Sequence, residues 1–171
     1  MPMKTPYNGF TLVELIIVVV IAAILATIAV PSFTSLIRDK RQYSAAGQLF
    51  GDLHMAKSEA IKRNARVLVC ANLSGACAAT TNWANGWLVC ADQNEDGTCD
   101  ASTATNPNPI VIRSPIHSTL VLTANSTSPV IFNPNGTAVA RTLVLSGNWS
   151  NPSTRTNTVA ATGTITSTKT P

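Results

Sequence analysis

From Phe10 to Val30 the chain reads FTLVELIIVVVIAAILATIAV, an apolar run interrupted by one charged residue, Glu14. A helix rises about 1.5 Å per residue, so ~20 such residues cross the roughly 30 Å hydrocarbon layer of a bilayer. The run therefore predicts a membrane-spanning helix over 10–30. A secretory signal peptide is the competing reading. Its apolar core is about 7–15 residues long and ends in small residues at a cleavage site, whereas this run continues into Pro31. Residues 1–9, MPMKTPYNG, form a short polar leader whose one cation, Lys4, suits the cytoplasmic side.

Composition narrows the rest. A length of 171 residues allows one folded domain and excludes a large multidomain enzyme, and 45% hydrophobic against 12% charged residues excludes a chain disordered by composition. The net charge of +4 is local. Between residues 38 and 66, Arg38, Lys40, Arg41, Lys57, Lys62, Arg63 and Arg66 face only Asp39, Asp52 and Glu59. Farther on, Arg113, Arg141, Arg155 and Lys169 balance Asp92, Glu95, Asp96 and Asp100, so the C-terminal part has no excess cation to offer nucleic acid.

Glu14 is the residue that needs a reason. A carboxylate in a bilayer costs on the order of 2–3 kcal/mol, and it is kept for a cation, turned to the interface, or protonated. Its setting, Gly9-Phe10-Thr11-Leu12-Val13-Glu14 before an unbroken apolar stretch, closely resembles the class III signal of type IV pilins and type II secretion pseudopilins. The resemblance implies that a prepilin peptidase cuts between Gly9 and Phe10 and methylates the new amine of Phe10. It also implies that Glu14 pairs with the Phe10 ammonium of a neighbouring subunit, giving register to helices that otherwise slide in apolar surroundings. The implied partners are other pilin or pseudopilin subunits, the peptidase and an inner-membrane assembly platform. The implied location is the bacterial inner membrane, crossed once, with the C-terminal head in the periplasm.

Beyond the span, residues 31–66 keep a helical stripe at Ala46, Leu49, Phe50, Leu53, Ala56 and Ala60, with most charges on other faces. Pro31 and Gly47 are the places where such a rod could bend. After Arg66 the composition turns to Thr, Asn, Ser, Pro and Gly. Short runs at 67–71, 87–91, 110–113, 119–123, 130–132, 138–145 and 158–165 predict antiparallel strands over a head of 67–171. Turns are marked by Asn85-Gly86, Asp96-Gly97, Asn106-Pro107-Asn108-Pro109, Asn133-Pro134-Asn135-Gly136 and Asn151-Pro152. Segments 101–109 and 146–157 read as loops and 167–171 as a frayed tail. The fold class is α+β: a long N-terminal helix on an antiparallel β-rich head.

Three further segments carry a narrower likeness. AKSEAIKRNARVLVC (56–70), Trp83-Ala84-Asn85-Gly86-Trp87 followed by an acidic turn, and Phe132-Asn133-Pro134-Asn135-Gly136-Thr137 are similar to the GspH/FimT family of minor pilins and pseudopilins. The resemblance implies a type IV pilin-like fold and a filament subunit of a type IV pilus or type II secretion system, acting in assembly initiation or at the tip. Some FimT members instead capture DNA through a C-terminal G-R-x-R motif. Here the matching place is Gly163-Thr164-Ile165-Thr166, without the arginines that would contact phosphates.

Cys70, Cys77, Cys90 and Cys99 all lie past the apolar run, where a periplasmic head would be oxidised. Of the three possible connectivities, Cys70 with Cys77 and Cys90 with Cys99 are favoured, because each pair brackets one turn-rich loop. A zinc site is the alternative, but the chain has no C-x2-C spacing and no nearby histidine. Asp92, Asn94, Asp96 and Gly97 match the opening of a calcium loop. The match fails at the twelfth position, Thr103, where a bidentate Glu is expected. No cofactor is expected. His54 falls mid-helix in the charged rod, His117 is alone beside Ser118, and no nucleophile elbow, phosphate loop or pair of catalytic carboxylates occurs, so the sequence predicts no enzyme. Trp83, Trp87 and Trp149 read as packing residues rather than a stacking platform for a ligand.

Overall fold

A computed structural model describes residues 9, 11–102 and 108–170, and for 28–32 the backbone alone. Among the described residues one α-helix, α1 (Leu12–Arg63), is followed by nine strands: β1 (Arg66–Leu73), β2 (Ala76–Ala78), β3 (Trp87–Asp92), β4 (Val111–Ile112), β5 (Leu120–Ala124), β6 (Val130–Phe132), β7 (Arg141–Gly147), β8 (Thr154–Val159) and β9 (Ile165–Thr170). Cα packing divides the chain into Met1–Asp39 and Lys40–Pro171. The second half of the helix thus belongs to the same compact unit as the strands.

In the first unit the helix begins at a cap. Thr11 Oγ1 accepts the Glu14 backbone N–H at 3.2 Å, and Leu15 N donates to the Thr11 carbonyl at 3.2 Å. This is the Ncap and N3 arrangement of a Thr-x-x-Glu start, with an acid in the turn where the helix dipole favours one. From Leu12 to Leu25 the large apolar side chains are exposed on every face, for instance Leu12, Ile16, Val19 and Ile24. Among the described residues no helix is long and apolar enough to cross a membrane. The described side chains of this run stop at Thr27, short of the ~20 residues a span requires, and the expected span of 10–30 begins and ends outside them.

The helix continues through Pro31 and Gly47 as a single element and stops at Arg63 rather than 66. Asn64 enters the left-handed region at φ 50°, and Ala65 N donates back to the Ala60 carbonyl at 3.2 Å, a Schellman-like ending. In the second unit the stripe Ala46, Leu49, Leu53, Ala56 and Ala60 is buried, with Phe50 half-buried at its side. Gln42 extends the same four-three spacing by one position and is fully buried too.

The strands form two antiparallel sheets. One runs β2-β1-β3-β4 with β6 also paired to β1, and the other runs β5-β7-β8-β9. In the first, Val67, Val69 and Ala71 of β1 and Trp87 and Val89 of β3 join the main core with the helix stripe. Leu68, Cys70, Leu88 and Cys90 alternate to the other face and form a second, smaller cluster. Both faces of β1 and β3 are therefore covered, which explains why VLVCA and WLVCA read as continuous apolar runs. In the second sheet the rows Leu122↔Leu145 and Ala124↔Leu143 supply the inner face.

Several strand expectations change. Residues 158–165 are not one strand but the end of β8, a turn and the start of β9. Ala160 N donates to the Thr164 carbonyl at 2.9 Å and Gly163 N to the Ala160 carbonyl at 2.8 Å across that turn. The expected loop 146–157 contains the start of β8, and the expected tail from Ser167 is part of β9, paired to β8 from Thr154↔Thr170 to Val159↔Ile165. β2 was not foreseen. β8 and β9 read TRTNTV and ITSTKT. Their β-branched threonines favour extended backbone, but a search for alternating apolar residues does not detect them. Of the expected loop 101–109, residues 103–107 lie outside the described residues, as does Thr103 of the calcium comparison.

Candidate functional site

Of the N-terminal candidates, Gly9 is exposed, Phe10 lies outside the described residues, and Glu14 sits exposed in the first turn of α1. Its backbone is engaged by Thr11 while its carboxylate is on an uncovered helix surface.

The head holds its share of the helix by polar groups that hydropathy does not reveal. Asp52, buried on the helix, accepts Arg113 Nε at 2.8 Å and the Trp87 indole Nε1 at 2.8 Å on Oδ2, and Arg113 Nη2 at 2.7 Å on Oδ1. The hydrogen bonds to the Asp52 carboxylate, before its charge, raise the affinity of Arg113 for its proton above the ordinary guanidinium level. Gln42 Nε2 donates to the carbonyls of Leu145 at 3.3 Å and Ser153 at 2.5 Å, and Gln42 Oε1 accepts the Ser153 hydroxyl at 2.9 Å. Asn157 Nδ2 donates to the Ala46 carbonyl at 3.2 Å, and Lys57 Nζ to that of Gly163 at 3.0 Å. The only hint in the sequence is that Gln42 falls on the apolar stripe.

Two glycines of the motifs noted in the sequence owe their place to backbone approach. Gly86 has φ +93°, and a Cβ there would overlap the Arg113 carbonyl oxygen. Gly163 has φ +75°, and a Cβ there would overlap the carbonyl of Gly136, itself at φ +80°. The segment Gly163 to Thr166 is thus a packed turn and strand start, with Ile165 buried. Arg155 and Lys169 face each other across β8 and β9, and the Arg155 guanidinium lies 5.2 Å from the Tyr43 ring centroid.

Most oxygens of the acidic turn after β3 have a donor within the turn or on Arg66, but the buried Asp92 Oδ1 has no hydrogen-bond partner. Asp92 is fully buried, where Oδ2 accepts Gly97 N at 3.2 Å and pairs with Arg66 Nη2 at 3.3 Å. Asp96 Oδ1 accepts the Thr98 hydroxyl at 2.6 Å and backbone N–H at 2.8 Å, and Oδ2 accepts Asn94 Nδ2 at 2.8 Å. The Thr98 hydroxyl, before the other donors, holds the Asp96 carboxyl below the usual carboxylate range. Asn94 Oδ1 accepts Asp96 N at 3.3 Å. The oxygens of Asn94 and Asp96 that would face a cation are turned to donors of the loop, and a guanidinium stands beside Asp92.

The cysteines pair as Cys70–Cys77 and Cys90–Cys99. Trp83 and Trp87 are core residues, and Trp149 packs against the core from the side. His54 meets Phe50 edge-on at 4.6 Å, and His117 Nδ1 lies 2.9 Å from Thr119 Oγ1 in a local turn.

Comparison with known proteins accords with this arrangement. A family model described as type II transport protein GspH matches residues 45–163, and one for the prokaryotic N-terminal methylation motif matches residues 5–30. No curated protein matches the chain. Among solved structures, the type IV minor pilin FimU of Pseudomonas aeruginosa, in its P65 crystal form, aligns with TM-score 0.54 at 20% identity, covering 74% of this chain and 91% of that one. The minor pseudopilin EpsH from the Type 2 Secretion System of Vibrio cholerae aligns with TM-score 0.55 at 14% identity, covering 75% of this chain and 96% of that one. At these identities the structures speak to the fold: a long helix on antiparallel sheets.

Proposed function

The chain belongs to the family of type II transport protein GspH and is a subunit of the minor pilin and pseudopilin class; from this premise we propose that it is anchored by residues 10–30 in the bacterial inner membrane and enters a filament from there. The observation that carries the reading is the helix from Leu12 to Leu25, apolar on every side with all its large side chains exposed. A surface of that kind is stable only in lipid or among other such helices. In a filament it exchanges the first for the second.

On this reading a prepilin peptidase removes residues 1–9 and methylates Phe10, whose ammonium pairs with Glu14 of a neighbouring subunit. The pair matters because apolar helices in apolar surroundings gain little from one register over another, and a charge pair in low dielectric selects one. The head, with its helix half clamped by Asp52, Gln42 and Asn157, acts in assembly initiation or at the filament tip. A subunit of this kind binds and packs; it performs no catalysis. DNA capture has weaker support, because Thr164 and Thr166 stand, exposed, where the motif has its arginines, and of the cations near them Lys57 is bonded to the Gly163 carbonyl while Arg155 and Lys169 lie on β8 and β9.

The test is mass spectrometry of the cell-derived chain together with a Glu14→Ala variant. The expected mature N-terminus is methylated Phe10, and Glu14→Ala is expected to be cleaved, to keep a folded head and to be absent from sheared filaments. Retention of Met1, or normal incorporation of Glu14→Ala, overturns the reading. Binding of full-length chain to DNA that falls steeply with added salt would favour the DNA alternative.

A further inference from the structure

The two disulfides are not separate staples. The sulfur atoms of Cys70, Cys77, Cys90 and Cys99 all lie within 4.8 Å of one another, the only group of three or more such ligands among the described residues. Sulfurs that belong to different disulfides come as close as 3.6 Å, between Cys77 and Cys99. The cause is register. β1 and β3 pair so that Leu68 faces Cys90 and Cys70 faces Leu88, which puts Cys70 and Cys90 on the same outer face. Each following loop then folds its second cysteine back over that face.

We propose that this cluster, when reduced, is a four-thiolate site for one zinc ion. A tetrahedral site with Zn–S distances of about 2.3 Å places its sulfurs ~3.8 Å apart, within the spread already present here. In both pairs the Cα atoms are 5.5 Å apart, so opening the S–S bond asks for side-chain rotation rather than a new backbone. Three ligands come from strands, Cys70 on β1, Cys77 on β2 and Cys90 on β3, and Cys99 comes from the loop after β3, while Leu68, Leu88 and Ile131 surround them with apolar contact. The absence of a C-x2-C spacing, which argues against zinc in the sequence, is made good by the β1–β3 pairing.

Access is built in. Cys70 and Cys90 are buried, whereas Cys77 and Cys99 are partly exposed and line a cavity of about 440 Å³ with Gly75, Asp100 and Asn108. A dithiol reductant entering there attacks the sulfur of Cys77 or Cys99. The protein S–S bond breaks, the buried partner leaves as thiolate and takes a proton, and the second thiol of the reductant closes its own disulfide. Two dithiols are oxidised as the chain accepts four electrons and four protons. Zinc then displaces the four thiol protons as it binds. The same two segments are thereby held by sulfur–sulfur bonds when oxidised and by metal when reduced.

The test uses the full-length chain in detergent micelles, reduced by a dithiol, desalted without oxygen and titrated with Co2+ as a spectroscopic stand-in. The expected result is one Co2+ per chain, with tetrahedral d–d bands and thiolate charge transfer that Zn2+ abolishes. The oxidised chain and the Cys77→Ser, Cys99→Ser double variant should show none of this. Circular dichroism guards against a trivial loss: should reduction unfold the head, metal must restore its β signal in the native chain and not in the variant. Absence of tetrahedral thiolate bands, equal binding by oxidised and reduced chains, less than one ion per chain, or a reduced head that metal fails to refold overturns the proposal.

Discussion

Arg113 grips both carboxylate oxygens of Asp52, at 2.8 and 2.7 Å, and so ties the segment after β4 to the middle of the head's helix. The Trp87 indole shares one of those oxygens, which leaves the buried acid fully engaged from β3 as well. Removing the cation strands a buried charge. Arg113→Ala is therefore expected to destabilise the head by about 2–4 kcal/mol, and Asp52→Asn with Arg113→Gln by less than the single change, because the double change leaves no ion unpaired. Urea unfolding of the three chains, followed by tryptophan fluorescence, checks the order.

Gly86 precedes Trp87 and supports the same clasp from behind. Its φ of +93° is strained for any L residue, and a methyl there meets the carbonyl of Arg113 itself. Gly86→Ala should cost more than the ~1 kcal/mol of an ordinary glycine replacement, since the segment holding Arg113 has to move. Combined with Arg113→Ala, the loss should be clearly less than additive. A double-mutant cycle in thermal unfolding reads this directly.

Acid should loosen the last turns of the helix first. Glu59 accepts Arg63 Nε at 2.6 Å and Lys62 Nζ at 3.3 Å, and the Arg63 bond, before the Lys62 contacts, holds its carboxyl below the ordinary 4.5 despite partial burial. A depressed folded-state value means that the stabilisation is complete above 4.5, the unfolded value, and disappears as pH falls through the lower folded one. Glu59→Gln should remove that part of the acid dependence and leave stability near neutral pH lower. Backbone amide exchange at Arg63 and Asn64 across an acid series measures it.

The Cys70–Cys77 link closes a short loop, with a sequence separation of 7. Replacing both by serine should cost about 2–3 kcal/mol, mostly by freeing the unfolded chain, and the β1–β2 pairing from Ala71↔Ala78 to Leu73↔Ala76 should exchange fastest. Hydrogen exchange of the double variant against the native chain gives both readouts, and β7, in the other sheet, serves as the internal control.

The long-range pattern was legible because it rests on local periodicity. The stripe from Ala46 to Ala60 needs only the 3.6-residue repeat, and the strands at β1 and β3 need only β-branched and apolar runs between turns. Glu14, Gly9 and Phe10 are conspicuous for the same kind of reason: one charge in a greasy stretch stands out without any partner in view. β8 and β9 escaped because threonine extends a chain without marking which face is buried.

What one dimension could not contain was which distant groups meet. Asp52 and Arg113, Gln42 and Ser153, and the four cysteine sulfurs are brought together by sheet register and by the helix lying on that sheet. No residue spacing encodes the register of β1 on β3. The sequence alone determined that the chain has an apolar helix with a single acid and a neutral, cysteine-bearing β region. Tertiary structure decided which polar groups clamp helix to sheet and that two disulfides share one face, because hydrogen bonds and sulfur contacts depend on distances that only packing of the whole core sets.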